Sequence, residues 1–498
     1  MLQNRNPLIL LRHMKALLIY PRFPSSIWSF EIAVAFVNRK VLLPPLSLAT
    51  VAALLPEDWE LKLVDTNIRA VTQDEWAWAD IVLLSAMNVQ RYHLDQQITL
   101  AREHGKPVVV GGPYATSQPE AVRAMGANFL VLDEGELTIP PFIEALSGGI
   151  TSGTFMANGK KPSLTQTPIP RFELLDLDAY DTMSIQFSRG CPFLCEFCDI
   201  TSLYGRRPRT KSPAQMLAEL ERLRELGWAR SIFIVDDNFI GDRRQTIKLL
   251  NALHAWQHRQ PFPYSFLTQV SVDLAKDTEL LKLMVDCRFS SVFLGIETPD
   301  EMSLASTRKK QNLCGSLVES VDTITRAGLL PMAGFIIGFD GEKSGAGRRI
   351  ETLVEQTAIP IVMLSMLQAL PRTALWHRLE SEGRLLPDAH AADVNQTTLM
   401  NFKPSRPIAE IAIEYVESFH RLYDPSTYLH RVYQCCLKVA PPPRWEPPPD
   451  TRATFGLPSR GKLTDIVVTV RTFVTIIWRQ GIRRSGRWAF WHYGIKIF

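Results

Sequence analysis

Three cysteines, Cys191, Cys195 and Cys198, stand close together in the sequence with the spacing C-x3-C-x2-C. They directly follow the apolar run Met183–Ser188, which has the composition of a buried strand. Thiolates are the protein ligands of iron–sulfur clusters. A short loop with this spacing can place three sulfur atoms at three corners of a cubane, which leaves the fourth iron open to a substrate or a cofactor.

The same cysteines are also compatible with other interpretations. They can be small buried side chains, a disulfide-bonded pair with one thiol left over, or part of a zinc site. A structural zinc site requires four ligands in a tetrahedral array, and no nearby Cys-x-x-Cys or histidine pair supplies the fourth. The intervening residues Arg189, Pro192 and Phe197 add a specificity that zinc binding does not require. The spacing therefore favours an iron–sulfur cluster.

The composition is that of a globular protein of the reducing cytoplasm. The chain has 498 residues, enough for about three domains, and its net charge of +4 is too small for this length to indicate a nucleic-acid partner. Seven cysteines, three of them in one loop, do not form a secreted disulfide framework. The N-terminal apolar run Leu8–Leu11 lacks the layout of a signal peptide, and no stretch is long enough for a transmembrane helix. We therefore expect a soluble or peripheral cytoplasmic protein.

Residues 15–149 alternate short apolar runs with helical stretches, a pattern that predicts an α/β fold with a parallel, doubly wound sheet. The predicted strands are Ala16–Tyr20, Glu60–Asp65, Ile81–Ser85, Pro107–Val110 and Phe129–Leu132. The predicted helices are Leu46–Leu55, Thr72–Trp78, Tyr92–His104, Pro119–Met125 and Leu137–Leu146. Such sheets bind ligands beyond the carboxyl ends of their strands, where Ser85, Gly111 and Gly112 stand. Glycines there let a ligand approach the backbone closely, although a plain turn accounts for them equally well.

A second region of strand–helix alternation covers residues 182–371. Its predicted strands are Met183–Ser188, Ser231–Val235, Tyr264–Val270, Ser291–Ile296, Met332–Ile337 and Ile361–Leu367. Its predicted helices are Pro213–Leu226, Arg243–Arg259, Asp277–Cys287, Gly315–Ala327 and Arg348–Thr357. Polar side chains mark the strand ends, where parallel barrels carry their reactive groups; they include Asp236, Asp237, Asn238, Gln269 and Glu297. Taken singly, the aspartates can cap the next helix and Glu297 can be a surface carboxylate. Taken together, the five indicate a ligand site.

The remaining segments lack this alternation. Residues 150–181 are rich in Gly, Ser, Thr and Pro, which predicts a linker that crosses the surface, and residues 372–438 are predicted to be helical with breaks. Residues 439–462 include a proline-rich spacer that is expected to be extended. The last segment, 463–498, interleaves arginines with aromatic residues, a composition that suits the surface of an anionic membrane. A helix that packs its apolar face on the rest of the protein is an equally good interpretation.

The loop Arg189–Cys198, with Phe197 in the aromatic position, resembles the signature of the radical S-adenosylmethionine (radical SAM) enzymes. The resemblance implies a partial (β/α)6 barrel over residues 182–371 and a [4Fe-4S] cluster held by Cys191, Cys195 and Cys198. It also implies that S-adenosylmethionine binds at the strand ends of this barrel. The residues expected to contact it are Phe197, Asp236, Asp237, Asn238, Gln269 and Glu297. No catalytic side chain is assigned beyond the cluster.

Ahead of such a loop, residues 15–149 resemble the Rossmann-like cobalamin-binding domain of the B12-dependent branch of that superfamily. Ser85, Gly111 and Gly112 are then expected to bind cobalamin. The D-x-H-x-x-G motif that supplies an axial histidine in other B12 proteins is absent, so we expect no histidine ligand to cobalt. Residues 372–438 resemble the mainly helical accessory domain of a subgroup that includes the hopanoid methylases. The phrase IPRFELLDLDAYDTMSIQFSRGCPFLCEFCDI is also very close to the wording of that subgroup.

The resemblance implies a cobalamin-dependent radical SAM C-methyltransferase that acts on an unactivated carbon of a small molecule or lipid, such as a polycyclic hopanoid. The alternative is an enzyme with the same cofactors that cyclises, oxidises or rearranges its substrate without methylating it. Either enzyme needs a one-electron reductant such as flavodoxin or ferredoxin, and neither implies a nucleic-acid partner. Contact with the inner face of the membrane through residues 463–498 is compatible with both, and nothing in the barrel sequence specifies the substrate.

Overall fold

Two six-stranded parallel sheets, one after the other along the chain, form the framework of the protein. A computed structural model describes residues 13–389, 399–445, 470–484 and 486–497. The apolar run Leu8–Leu11, most of the proline-rich spacer and the first residues of the basic C-terminal segment lie outside the described residues.

The first sheet has the doubly wound topology that the sequence predicts. Its strands are β1 (Lys15–Tyr20), β2 (Glu60–Asp65), β3 (Ile81–Ser85), β4 (Val108–Gly111), β5 (Phe129–Val131) and β6 (Gly153–Phe155). They lie in the order β2-β1-β3-β4-β5-β6, and every neighbouring pair is parallel. The direction of winding reverses at β1, which opens a crevice at the carboxyl ends of β1 and β3.

Helices cover both faces of the first sheet, because alternate strand residues are apolar on both sides. Leu17 and Ile19 of β1 belong to one apolar cluster, with Leu94 and Ile98. The next residue along the strand, Leu18, belongs to the cluster on the opposite face. The helices are Glu31–Phe36, Leu46–Ala52, Gln73–Trp78, Arg91–Glu103, Gly112–Ser117, Pro119–Ala124 and Gly135–Ser147. The first and fifth of these are short and were not predicted from the sequence.

The second half of the chain folds into an open barrel. Its strands are β7 (Met183–Ile185), β8 (Ser188–Arg189), β9 (Arg209–Thr210), β10 (Ile232–Ile234), β11 (Phe266–Val270), β12 (Phe289–Glu297), β13 (Leu330–Ile337) and β14 (Ile361–Met366). Six of them form a parallel sheet in the order β14-β13-β12-β11-β10-β7, whereas β8 and β9 pair with each other in antiparallel fashion. The main helices are Ile200–Tyr204, Pro213–Glu225, Arg243–Gln257, Thr278–Asp286, Glu301–Ser306, Leu317–Arg326 and Ala346–Thr357.

In β11, β13 and β14, buried residues alternate strictly with half-buried ones. In β13, Ala333, Phe335 and Ile337 are buried in the large core beneath the helices. The intervening residues, such as Gly334 and Ile336, are half-buried. Because successive side chains point to opposite faces of a strand, the half-buried set lines the concave inner side of the barrel.

Residues 150–181 are not the surface linker that the composition predicts, and that prediction is wrong in this respect. Gly153–Phe155 forms β6, which pairs with β5. Phe172 is fully buried in the barrel core, and the buried Tyr180 hydroxyl donates a hydrogen bond to Asp65 Oδ2 at 3.0 Å. These anchors are single residues separated by polar stretches, so they leave no periodic signal in the sequence.

A helical C-terminal region covers the open edge of the barrel at β14. Its helices are Ala374–Ser381, Ile408–Leu422 and Pro425–Lys438. The Tyr423 hydroxyl donates to the backbone oxygen of Val362 at 2.7 Å and accepts from its N–H at 3.1 Å. Beyond residue 469, a helix over 470–476 continues as a π-helix, Ile477–Arg483, and a last helix covers Arg487–Ile497. In the part of the chain that the structure describes, no helix is long and apolar enough to cross a membrane.

Replacement of Phe172 tests whether the segment that joins the sheets is part of the core. Because Phe172 is fully buried, Phe172→Ala should cost about 3–5 kcal/mol of stability and lower the midpoint of thermal unfolding clearly. Ile169, which is 41% exposed on the same segment, is the matched control, and Ile169→Ala should leave the midpoint nearly unchanged. Equal midpoints for the two variants would contradict the packing described here.

Candidate functional site

The cysteine loop (residues 190–198) is shaped by a tight turn at its start. Gly190 has a φ angle of +96°, and a Cβ atom there would lie 2.9 Å from the backbone oxygen of Gly205. Only glycine adopts such a conformation at no steric cost. The backbone N–H of Cys191 donates to the same oxygen of Gly205 at 3.3 Å, and Cys198 N donates to Cys195 O at 3.2 Å. The three thiols are therefore presented by one folded loop.

A second loop places Lys309 and Gln311 beside these thiols. The Gln311 side-chain amide lies 3.5 Å from Cys195 Sγ, and the buried Lys309 ammonium forms an ion pair with Glu297 at 2.6 Å. Burial raises the pKa of the Cys198 thiol, whereas the charge of Lys309 acts to lower it. Lys309 and Gln311 were not predicted from the sequence; the basic run 308–310, close after a polar strand end, is the signal that points to them.

The three thiols suit a polynuclear cluster. All three cysteines are free and half-buried. Among the described residues, no three His, Cys, Asp or Glu side chains converge closely enough to hold a single metal ion. Three thiolates that each bind a different iron do not need to converge on one point, and thiolates are the ligands of [4Fe-4S] clusters.

The structure places Asp236 and Asn238, both predicted to contact S-adenosylmethionine, within the protein framework. Asp236 has no exposed surface. Its carboxylate accepts hydrogen bonds from Phe187 N at 2.7 Å and Ser188 Oγ at 2.6 Å. Burial raises its pKa to about 6, against the lowering effect of those hydrogen bonds. Asn238 bonds with Ser271 at the end of β11, its Nδ2 lying 3.2 Å from Ser271 Oγ. Asp236 therefore ties the end of β10 to residues 187 and 188, ahead of the cysteine loop, and Asn238 ties it to the end of β11.

Asp237, by contrast, has an oxygen that the protein leaves unsatisfied. Its Oδ2 atom is buried and has no hydrogen-bond partner. Burial, together with the neighbouring carboxylates of Asp236 and Asp199, raises the pKa of Asp237 to about 7. A buried acceptor without a partner is costly unless a ligand satisfies it. Asp237 also acts electrostatically on the Cys191 thiol, so it lies near the cysteine loop.

Gln269 and Glu297 lie on the inner side of the barrel, and Phe197 packs beside the barrel core. Gln269 and Glu297 are half-buried residues of β11 and β12, on the alternate positions that face the concave side. Glu297 has a φ angle of +66°, a conformation that non-glycine residues rarely adopt and that is common at functional sites. Phe197 packs against Phe339, with ring centroids 5.8 Å apart, and lies 5.9 Å from the Lys309 ammonium.

A cavity of about 970 Å³ lies between the two sheets. Ser85, Gly111 and Gly112 line it from the carboxyl ends of the first sheet. Gln186, on the other side, belongs to the barrel. Gly112 has a φ angle of +86°, and a Cβ atom there would lie 2.4 Å from Ser85 Oγ. The three residues predicted to bind cobalamin are thus brought together in one wall of the cavity, at the switch point where doubly wound sheets bind ligands.

Neither His93 nor His104 of the first domain lines this cavity. None of the described residues that line it is histidine. His93 accepts a hydrogen bond from the backbone N–H of Arg22 at 2.8 Å, and His104 stacks on Trp76. The donor set of the cavity therefore fits a cobalamin bound without a histidine ligand to cobalt.

Arginines of the barrel half form ion pairs with an acidic turn of the first domain (Asp133, Glu134, Gly135 and Glu136). Arg189, directly before the cysteine loop, contacts Glu134 at 2.9 Å and Glu136 at 3.0 Å. Arg209 of β9 makes two further bonds to Glu134, at 2.9 and 3.0 Å. The Glu134 side chain is only 2% exposed. Glu134, Glu136 and Arg189 all line the cavity, so this buried cluster of charges joins the cavity wall to the cysteine loop.

The C-terminal helical region holds the cysteine loop from another side. Arg378 forms an ion pair with Glu196, within the loop, at 2.6 Å and a second with Asp340 at 2.8 Å. The backbone oxygen of Glu196 accepts from Leu375 N at 2.9 Å, and its N–H donates to Thr307 O at 2.9 Å. Sequence analysis gave Arg378 no role, since its partners are distant in the chain.

Three family models match the chain, in an order that follows this architecture. The B12 binding domain matches residues 32–143, and the Radical SAM superfamily matches residues 185–346. A domain of unknown function, DUF4070, matches residues 373–498.

Relatives extend over nearly the whole chain. An uncharacterized methyltransferase of Synechocystis sp. is 57% identical over 97% of this chain and 87% of its own length. The hopanoid C-2 methylase of Rhodopseudomonas palustris is 34% identical over 97% of this chain and 89% of its own. The hopanoid C-3 methylase of Methylococcus capsulatus is 28% identical over 58% of this chain and 57% of its own.

Solved structures share the fold at low sequence identity. The cobalamin-dependent S-adenosylmethionine radical enzyme OxsB, with aqua-cobalamin bound, superposes with a TM-score of 0.63 at 16% identity, over 98% of this chain and 76% of that one. The radical S-adenosylmethionine methyltransferase TsrM from Kitasatospora setae, with cobalamin and a [4Fe-4S] cluster bound, gives a TM-score of 0.57 at 17% identity, over 74% of this chain and 78% of that one.

Replacement of Arg189 by methionine tests the ion pairs that join the first domain to the barrel half. Because the Glu134 and Glu136 carboxylates are buried, removal of their partner should cost about 3–5 kcal/mol and lower the midpoint of thermal unfolding. Burial acts to raise the pKa of Glu136, but the charge of Arg189 holds that pKa below its usual value. The stability from this pair is therefore complete at neutral pH and is lost as the pH falls below about 4, so the difference between variant and wild type should shrink in acid.

The matched control is Arg243→Met. Arg243 also pairs with two carboxylates, Asp277 and Glu279, but its side chain is 53% exposed, and exposed pairs contribute little. Its midpoint should stay near that of the wild type at every pH. An Arg189→Met variant as stable as this control would show that the ion pairs of Arg189 do not hold the two halves together.

Substitution of Gly112 by alanine tests the cavity wall. The new Cβ would displace Ser85. We therefore expect the affinity for cobalamin to fall about tenfold, which corresponds to a loss of about 1.4 kcal/mol of binding free energy. The visible absorbance of cobalamin retained by the purified protein measures this loss. Gly105→Ala is the control, because Gly105 has a φ angle of +66° in the same domain but nothing within 4 Å of the added Cβ. Equal cobalamin binding by both variants would remove Gly112 from the site.

Proposed function

The chain belongs to the cobalamin-dependent radical SAM methyltransferase family, and from this premise we propose that it is a C-methyltransferase acting on an unactivated carbon of a polycyclic lipid such as a hopanoid. The 34% identity to a hopanoid C-2 methylase over nearly the full length supports the substrate class.

One observation carries the proposal: a single cavity is lined both by the carboxyl ends of strands in the first sheet and by residues of the barrel. Gly111 and Gly112 line it from the first sheet, and Ser184, Val235 and Met363 line it from β7, the end of β10, and β14 of the barrel. A methyl donor held by the first domain would thus face the inner side of the barrel, where a substrate carbon can be activated. Holding two reactants in one enclosed space is the main contribution that a protein makes to such a transfer.

We assign Cys191, Cys195 and Cys198 as ligands of the cluster, with Lys309 and Gln311 beside them. When bound, the cluster and S-adenosylmethionine supply a carbon-centred radical and cobalamin supplies the methyl group, chemistry that no side chain performs. The task of this chain is to position these groups.

We assign Asp237, Gln269, Glu297 and Phe197 to the S-adenosylmethionine site, because they lie near the cysteine loop or on the concave side of the barrel. Carboxylate and amide oxygens suit an ammonium group and ribose hydroxyls. Asp236 and Asn238 act as positioning residues at the strand ends, Asp236 through Ser188 and Asn238 through Ser271.

The inner side of the barrel suits an apolar substrate. The half-buried positions that alternate with the core residues include a set of apolar side chains from four strands: Leu267, Phe293, Met332, Ile336 and Met363. Such a lining excludes water from a radical, which prevents side reactions. It matches the ring system of a polycyclic lipid better than a charged metabolite.

Two partners follow from the proposed chemistry. The cluster needs a one-electron reductant, for which flavodoxin or ferredoxin is the natural class, and a lipid substrate brings the protein to a membrane surface. The need for a reductant places the proposed reaction in the reducing cytoplasm, where exposed thiols survive.

Replacement of a single cysteine tests the cluster assignment. Cys195→Ala should lose most of the iron bound after anaerobic reconstitution and all formation of 5′-deoxyadenosine, because a cubane needs each of its three protein ligands. Cys436→Ala removes an exposed free thiol of the C-terminal region and should change neither measurement. Full iron content and product formation in Cys195→Ala would overturn the assignment.

Labelling in cells tests the reaction itself. Methionine with a trideuterated methyl group would be fed to a strain that carries the gene, to one that lacks it and to one with the Cys195→Ala variant. We expect a labelled polycyclic lipid only in the first strain, detected by mass spectrometry. A gene-dependent lipid that changes without carrying label would instead establish a non-methylating reaction and contradict the proposed methyl transfer.

A further inference from the structure

The C-terminal segment, residues 470–497, exposes basic and large apolar side chains side by side. Trp478, Trp488 and Ile495 are 53%, 75% and 73% exposed. The last acidic residue of the chain is Asp465, ahead of this segment. Its basic residues are Arg471, Arg479, Arg483, Arg484, Arg487 and Lys496. Large apolar side chains exposed together mark a binding surface.

This segment is anchored to the protein by a different set of its residues. Tyr493 packs against His430 and Tyr433, with ring centroids 5.6 and 6.1 Å away. The Trp491 indole N–H donates to Gly481 O at 2.9 Å, which joins its two helical parts. Since Tyr493 already provides the packing contact, internal packing does not account for the exposed Trp478 and Trp488.

The other anchor of the segment is the outer wall of the cavity. Thr472 Oγ1 donates to the backbone oxygen of Phe36 at 2.7 Å, and the Arg479 guanidinium lies 5.0 Å from the Phe36 ring. Phe36 ends the short helix Glu31–Phe36, from which Glu31 and Ala35 line the cavity.

The stretch 22–36 therefore separates the cavity from the C-terminal segment. Its residues Phe23, Ser26 and Trp28 also line the cavity. On the same stretch, Ile27 and Ile32 are 48% and 73% exposed, so apolar side chains are present at the rim as well as on the C-terminal segment.

We propose that residues 27–36 and 470–497 form one surface that docks on an anionic lipid bilayer, so that the substrate enters the cavity from the bilayer beside the helix Glu31–Phe36. The entry of substrate rests on the proposed lipid methyltransferase function, whereas docking does not.

The chemistry of the surface selects a bilayer as the occupant. Arginines are attracted to anionic headgroups, and exposed tryptophans and isoleucines insert at the boundary between headgroups and acyl chains. Nucleic acid would use the arginines but would leave Ile32 and Ile495 in water. The net charge of the whole chain, +4, is also small for nucleic-acid binding.

Sedimentation of the full-length, cluster-loaded protein with vesicles tests the docking. Wild type should bind vesicles of phosphatidylcholine with phosphatidylglycerol about tenfold more tightly than vesicles of phosphatidylcholine alone. Two double variants, Trp478→Ser with Trp488→Ser and Arg483→Glu with Arg487→Glu, should each lose most of this binding. The control is Arg244→Glu with Arg259→Glu, which makes the same charge change at exposed positions of the barrel half and should bind like wild type.

A further pair of variants tests whether the cavity rim belongs to the surface. Ile32→Asp should weaken binding to the anionic vesicles, whereas Met302→Asp, at a site 70% exposed on a barrel helix, should not. Unchanged binding by Ile32→Asp would overturn entry at the rim.

Three results would overturn the docking: no binding of wild type to anionic vesicles, equal binding by wild type and both double variants, or tighter binding to single-stranded DNA than to vesicles. Unchanged iron content shows that each variant is folded. Because the assay needs no turnover, loss of docking and loss of methyl transfer are separate results.

Discussion

The buried ion-pair cluster of Arg189 and Arg209 with Glu134 and Glu136 is the interaction on which the rest of the structure depends. Four charged side chains leave water together, and each is tolerable only because its partners are in place. Glu134 is 2% exposed and Arg189 is 11% exposed. A shift of one half against the other would separate these charges inside the protein, so the cavity wall and the cysteine loop are held in one register.

Three parts of the chain contact the cysteine loop and hold it in place. Arg189 ties its start to the first domain, Thr307 O accepts from its middle, and Arg378 reaches Glu196 from the C-terminal helices. A loop held at its start and, from two sides, at Glu196 has little freedom to move. This explains physically why a helical C-terminal region accompanies the barrel: it closes the edge at β14 and fixes the loop that would carry the cluster.

Most of the framework could be predicted from the sequence, because buried parallel strands appear as short apolar runs between helical stretches. The cysteine loop could be recognised from its local spacing, whereas Ser85, Gly111 and Gly112 were expected to line a ligand site only through the family resemblance. The partners of the loop could not, since Arg378 lies 182 residues from Glu196. The sequence also gave equal weight to Asp236 and Asp237. Adjacent strand-end residues point in opposite directions, and only the structure shows that the protein satisfies Asp236 and leaves an oxygen of Asp237 without a partner.

In the proposed arrangement, cobalamin and the iron–sulfur cluster occupy neighbouring sites on either side of the ion pairs that Arg189 forms with Glu134 and Glu136. The most direct measurement is anomalous X-ray scattering at the iron and cobalt absorption edges, from crystals of the protein loaded with both cofactors. We expect iron at the loop that carries Cys191, Cys195 and Cys198, and cobalt inside the cavity bounded by Gly112 and Gln186. Cobalt outside this cavity, or iron away from the loop, would contradict this arrangement.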